Sequence, residues 1–157
     1  MKTALRLFVA IAVLLPAYSF ARIGETPEQC KTRYGSPLST NEIGGLLFRK
    51  GPLLFQVTFF EGKCDSIIFN KEEKNVLGKP AEMSDNEIVI ILKANGGDRK
   101  WKALPVSPTM KVWKTEDGTI TAVYTFFENG LAIITEEYVK RQMASESAKD
   151  KKGLEGF

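Results

Sequence analysis

The sequence predicts an α+β fold in which two tandem αβββ units form one antiparallel sheet of about six strands, with two helices on one face. Three observations predict it. Thr58-Phe59-Phe60-Glu61 returns 67 positions later as Thr125-Phe126-Phe127-Glu128, and the same offset carries Gly51 onto Gly118, Leu53 onto Ile120 and Val57 onto Tyr124. Around each copy lie strand-like runs parted by turn residues. Ahead of each copy stands a helix-start signal. A length of 157 residues suits a single domain built from two such halves.

The first helix is predicted to open at Thr26, a capping residue, with Pro27 at the first helical position and Gln29 three residues after the cap. Gly35 stops it and Pro37 prevents resumption. Three strands follow. Gly44–Lys50 leads through Gly51-Pro52 into Leu53–Glu61, which leads through Gly62-Lys63 into Cys64–Lys71. The second unit repeats the order. Ser84 and Glu87 make a capping box and Asn95-Gly96-Gly97 makes a stop, so Ile88–Leu92 is read as helix although five apolar residues in a row also suit a strand. Met110–Thr115, Thr119–Glu128 and Leu131–Val139 are its strands, with Asp117-Gly118 and Asn129-Gly130 as hairpin turns that tolerate positive φ. After the tetrapeptide the offset drops to 66, so Ile67-Ile68 match Ile133-Ile134. The units span 22–74 and 84–139. Residues 140–157 are charged and aperiodic and are read as a short helical continuation running into a flexible tail.

Alternation along the strands sorts two faces. Leu53, Phe55, Val57 and Phe59, with Ile120, Ala122, Tyr124 and Phe126, are the more apolar set and are expected to meet the helices. The opposite set mixes polar with large apolar side chains. It supplies a candidate binding face of Gln56, Thr58, Phe60, Thr121, Val123, Thr125 and Phe127. The alternative is that linkers 75–83 and 98–109 cover this face, or that it packs across a dimer. Trp101 and Trp113, in or beside the second linker, are read as pins that hold it to the core.

Residues 1–21 have the form of a secretory leader: Lys2 and Arg6, an apolar run Leu7–Leu15, then Pro16 and small residues at Ser19 and Ala21. The run is well short of the ~20 residues that cross a bilayer as a helix. The expected product is periplasmic or secreted, with no membrane anchor after cleavage. Removing Lys2 and Arg6 leaves 20 basic against 19 acidic side chains, which gives no electrostatic case for a nucleic-acid partner. In an oxidising compartment Cys30 and Cys64 are expected to form a disulfide, worth roughly 3–4 kcal/mol of loop entropy. The alternative is two buried free thiols.

The chain contains no His, which excludes Ser-His and Cys-His nucleophiles and imidazole zinc sites. Two Cys cannot complete a four-thiolate metal site. Glu72-Glu73, Glu116-Asp117 and Glu136-Glu137 are adjacent carboxylates, which point apart on a strand instead of converging on one atom. No cofactor is expected, and the chain is not expected to be an enzyme.

The stretch Gly24-Glu25-Thr26-Pro27-Glu28-Gln29-Cys30-Lys31-Thr32-Arg33-Tyr34-Gly35-Ser36-Pro37 resembles the helix opening of bacterial envelope proteins of the SmpA/OmlA outer-membrane-assembly type. The tandem helix-plus-meander order resembles the β-lactamase-inhibitor-protein type of fold. The sequence has two units where the assembly proteins have one, and it lacks their lipidated Cys. The resemblance implies a protein-binding scaffold of the bacterial envelope and carries over no functional residues. The expected role is therefore non-catalytic binding of a protein or peptide through the open sheet face. The alternatives are a structural envelope component and a hydrolase that uses carboxylates alone.

Overall fold

The computed structural model describes residues 22–105 and 107–154; the expected leader, 1–21, lies outside them. Three helices accompany one antiparallel sheet of eight strands. In chain order they are α1 Pro27–Tyr34, β1 Ser39–Thr40, β2 Leu46–Lys50, β3 Leu53–Phe60, β4 Lys63–Lys71, α2 Asp85–Gly96, β5 Trp101–Ala103, β6 Met110–Thr115, β7 Ile120–Thr125, β8 Gly130–Thr135 and α3 Glu136–Leu154. The strand order is β1-β2-β3-β4-β8-β7-β6-β5, so each unit is a meander and the two join through their last strands. At that seam Ile67 stands opposite Ile133, the two residues equated by the offset of 66. From this pair an apolar row runs outward through Val57 and Leu46 on one side and through Ala122, Trp113 and Ala103 on the other.

The helix ends follow the local chemistry. Thr26 Oγ1 accepts from the Gln29 amide at 3.3 Å and Gln29 Oε1 accepts from the Thr26 amide at 2.8 Å. Ser84 and Glu87 make the same reciprocal pair at α2. Gly35 and Gly97 end these helices at φ 82° and 60°, a region where a side chain is strained. Both helices cover the predicted apolar face. Tyr34 of α1 meets Phe55 edge-on at 5.0 Å and Phe48 at 5.4 Å. From α2, Ile88, Ile91 and Leu92 join Phe55, Val57, Ile67, Phe69, Ala122, Tyr124 and Ile133 in one core.

Three features differ from the expectation of about six strands and two helices. Two short edge strands, β1 and β5, lengthen the sheet; two or three residues are too few to show a period. Trp101 holds β5 in place by donating from Nε1 to the Leu92 carbonyl at 2.7 Å, across the end of α2. A third helix, α3, begins where the sequence was read as strand through Val139. Its start is set by the Thr135 hydroxyl, which accepts from the Tyr138 amide at 3.0 Å. The central strands also differ in length. β7 stops at Thr125, so Phe126 and Phe127 lie in the turn, whereas β3 continues through Phe60.

That last difference has a visible cause. Thr58 pairs with Ser66 and Phe59 with Cys64, which leaves Asp65 as an extra residue in β4, a β-bulge. The extra residue falls where the repeat offset changes from 67 to 66. The bulge carries the β3–β4 ladder past Phe60 to a tight turn at Glu61 (φ 49°) and Gly62 (φ 74°).

The Trp101 pin gives a direct test. A Cβ on Gly96 would stand 2.5 Å from Trp101 Nε1. Alanine favours a helix over glycine by roughly 1 kcal/mol, but overpacking costs about 1–3 kcal/mol. Gly96→Ala is therefore expected to lower the urea midpoint and shift the tryptophan emission. A more stable variant with unchanged emission would show that the indole does not rest on Gly96.

Candidate functional site

The face of the sheet away from α1 and α2 follows the bulge-adjusted alternation. On β3, Leu54, Gln56 and Thr58 are half-buried and Phe60 is exposed; on β7, Thr121, Val123 and Thr125 are half-buried. Ile68 of β4 alternates with buried Ile67 and Phe69 and is 42% exposed on this outer side. All seven candidate residues thus lie on or beside one surface. The structure does not gather them into one site. Gln56 and Phe127 meet in a groove of about 500 Å³, whose floor includes Leu47, Leu54 and Ile68 and whose wall is Lys74, Lys79 and Pro80. Thr121, Val123 and Thr125 sit further along the face, opposite Lys114, Val112 and Met110 of β6. Thr58 is engaged by Asp65, to which its hydroxyl donates at 3.3 Å.

The two phenylalanines are each capped by a cation from the segment that leaves the other unit. The chain after β4 brings Lys79 over the Phe127 ring, 3.5 Å from its centroid, where the ammonium also donates to the Phe127 carbonyl at 3.0 Å. The chain after β8 brings Arg141 of α3 over the Phe60 ring at 3.8 Å. Cation–π contacts of this kind contribute about 0.5–2 kcal/mol, more when water is excluded. Arg141 also pairs with Asp65, the bulge residue. Phe60 and Phe127 therefore frame the outer face from its two ends and are partly occupied themselves.

Asp65 is buried and Arg141 is about one-third exposed. Removing the guanidinium leaves a buried carboxylate with only the Thr58 hydroxyl. Arg141→Leu is expected to cost about 1–3 kcal/mol, after allowing for the solvent that reaches the arginine. Asp65→Asn in the same chain is expected to restore most of it, as a double-mutant cycle in urea would read. Equal and additive losses in the two single variants would mean that the pair is not coupled.

A hairpin from Lys74 to Pro80 forms the groove wall. Its strands meet in an isolated bridge between those two residues. Asn75 Oδ1 accepts from the amides of Leu77 (2.9 Å) and Lys79 (3.1 Å), which holds the turn with Gly78 at φ 74°. Asn129, buried beside it, donates to the Pro80 carbonyl at 2.8 Å. The sequence marks 75–83 as linker, and the candidate face drawn from it omits Ile68, Asn70, Lys74 and Lys79. The alternation that marks Ile67 as core does place Ile68 and Asn70 on the outer side, but nothing local shows that the linker folds back.

The cysteines correct an expectation. Cys30 and Cys64 are free thiols, both buried in the core, and no disulfide joins them. Each has its own weak acceptor: Cys30 Sγ lies 3.9 Å from Glu25 Oε2, and Cys64 Sγ lies 3.8 Å from the Ser66 carbonyl. Burial, then the Glu25 carboxylate, pushes the Cys30 thiol up to about 12. Burial, then Cys30 and Asp65, raises the Cys64 thiol further. Such thiols pack as small hydrophobes and are poor nucleophiles.

Glu128 is the one carboxylate lining the groove. Among the described residues no group of His, Cys, Asp or Glu is placed to hold a metal ion, and no helix is long and apolar enough to cross a membrane. The groove offers an apolar floor, two amides and a basic wall, which suits recognition of a shape and a charge.

No family model matches the chain, and no curated protein matches it. One solved structure to which it is similar is a cysteine-rich secretory protein from Staphylococcus aureus, at 12% identity and a TM-score of 0.41, covering 74% of this chain and 46% of that one.

Proposed function

We propose that this is an exported, non-catalytic protein-binding module that engages a protein or peptide through the open face of its sheet. The leader pattern of residues 1–21 supports export to the periplasm or beyond. The tandem αβββ pattern supports duplication of one unit, a route to a broad sheet with α1 and α2 behind it.

One observation carries the binding role. The outer face holds a groove of about 500 Å³ with aliphatic side chains on its floor, one of them, Ile68, 42% exposed at the centre of the sheet. Exposed apolar surface of this kind, rimmed by polar groups, is the signature of an interaction site. The helical layer opposite seals the core and leaves this face to a partner.

The test is affinity capture from the cell envelope of the source organism, repeated with two variants. Ile68→Arg lies in the groove, and Val89→Arg lies on the exposed side of α2. The expected result is a partner that Ile68→Arg loses and Val89→Arg keeps, with the melting temperature unchanged in both. A partner that ignores Ile68→Arg, or one lost only with Val89→Arg, would place recognition elsewhere and overturn the proposal.

A further inference from the structure

The groove carries a specific polar pattern along its apolar floor. Gln56 and Asn70 are half-buried in its lining, and neither side-chain amide has a hydrogen-bond partner among the described residues. A primary amide both donates and accepts, so two of them in a row match the alternating N–H and C=O groups of an extended chain. On the wall, the Lys74 and Lys79 ammonium groups face no carboxylate within ion-pair distance among the described residues. Lys71, also on the rim, is already paired with Glu87 at 3.1 Å. Glu128 lines the groove as well but pairs with neither lysine, so the wall keeps a net positive character, with the Lys79 ammonium resting on the Phe127 ring and donating to the Phe127 carbonyl at 3.0 Å. The hairpin that bears Lys74 and Lys79 is locked at its turn by Asn75 and at its base by the Lys74–Pro80 bridge. The backbone that carries the two charges is therefore fixed before anything binds.

From this pattern we propose that the groove receives an extended segment of a partner polypeptide in which Asp or Glu stands beside apolar residues. Aliphatic or aromatic side chains of that segment rest on Leu54 and Ile68. Its peptide groups pair with the amides of Gln56 and Asn70. Its carboxylates meet Lys74 and Lys79. The proposal rests on the reading of the outer face as a protein-binding surface, and it names the chemistry that the surface selects.

The probe is a phage-displayed library of random heptapeptides, selected on the immobilised protein and measured by fluorescence anisotropy. The expected result is enrichment of Asp or Glu next to Leu, Ile, Val or Phe. Affinity of such peptides is expected to fall about tenfold in Lys74→Glu/Lys79→Glu, to weaken as salt rises, and to hold in Lys93→Glu, which reverses an exposed charge on α2. Melting curves of the variants confirm that each is folded. Enriched peptides that lack carboxylates yet lose binding in Ile68→Arg would overturn the acidic segment and leave the open-face reading standing. Peptides indifferent to Ile68→Arg, or a library that yields none, would overturn both.

Discussion

Ile67→Ala is expected to lower the stability of the entire sheet by about 2–5 kcal/mol. Ile67 is fully buried, lies at the seam between the two meanders and faces Ile133 across it. Its loss leaves a cavity that helices α1 and α2, fixed by their own core contacts, cannot easily close. The two tryptophans make the test specific, because Trp101 and Trp113 both belong to the second unit while Ile67 belongs to the first. If the apolar row from Leu46 to Trp113 belongs to one core, the tryptophan-detected and circular-dichroism midpoints move together. A tryptophan transition that stays at the wild-type position would show two halves that unfold separately. Ile133→Ala is expected to behave alike, and the double variant to cost less than the sum, since the two side chains share one space.

Alkaline pH is expected to destabilise the protein through its two thiols. The sign follows from the direction of the shift. Cys30 is held up to about 12 in the fold, against 9.0 for an ordinary thiol, and Cys64 is raised as well. Below pH 9 both states keep their protons and the thiols add no pH dependence. Above it the unfolded chain loses protons that the folded chain retains, so stability falls at up to about 1.4 kcal/mol per pH unit for each thiol. For Cys30 the fall continues until pH 12. Urea titrations from pH 7 to 11 would measure the slope. Cys30→Ala/Cys64→Ala is expected to be less stable at pH 7, because two small cavities are opened, but to show a shallower alkaline decline. An unchanged decline would assign it to other groups. Thiol labelling without reductant is expected to find both cysteines protected in the native protein and both reactive once it is denatured.

The fold was legible where structure is made by neighbours in sequence. Thr26 with Gln29, and Ser84 with Glu87, satisfy the orphan amides of a helix start by reaching three residues along the chain, so each helix end could be placed from a handful of letters. The hairpin turns follow in the same way from glycine and asparagine at positive φ, as at Gly62 and Asn129. Strand alternation sorted Phe55 and Val57 from Leu54 and Gln56, because successive side chains leave a pleated backbone on opposite sides. The one-residue change in the offset coincides with the bulge, a feature that only the β3–β4 register reveals.

The candidate site was legible only in part. The outer face was identified as a surface, and Gln56 and Phe127 do meet there. Of the residues that give it chemical character, Asn70 follows the alternation of β4, whereas Lys74 and Lys79 come from a segment with no period of its own. Its course is fixed by Asn75 within the turn and by Asn129 from 49 positions beyond Pro80. Phe60 reads from the sequence as open surface, but a guanidinium 81 positions further along the chain lies across its ring.

By itself, then, the sequence determined most of the elements and the faces of their strands, since these depend on backbone sterics, local capping and a period of two. The tertiary structure alone decided the joining of β4 to β8, the added edge strands, the placement of α3, the free state of Cys30 and Cys64, and which part of the outer face stays accessible. Those outcomes depend on contacts between distant segments, whose energies exist only after the sheet has brought the segments together.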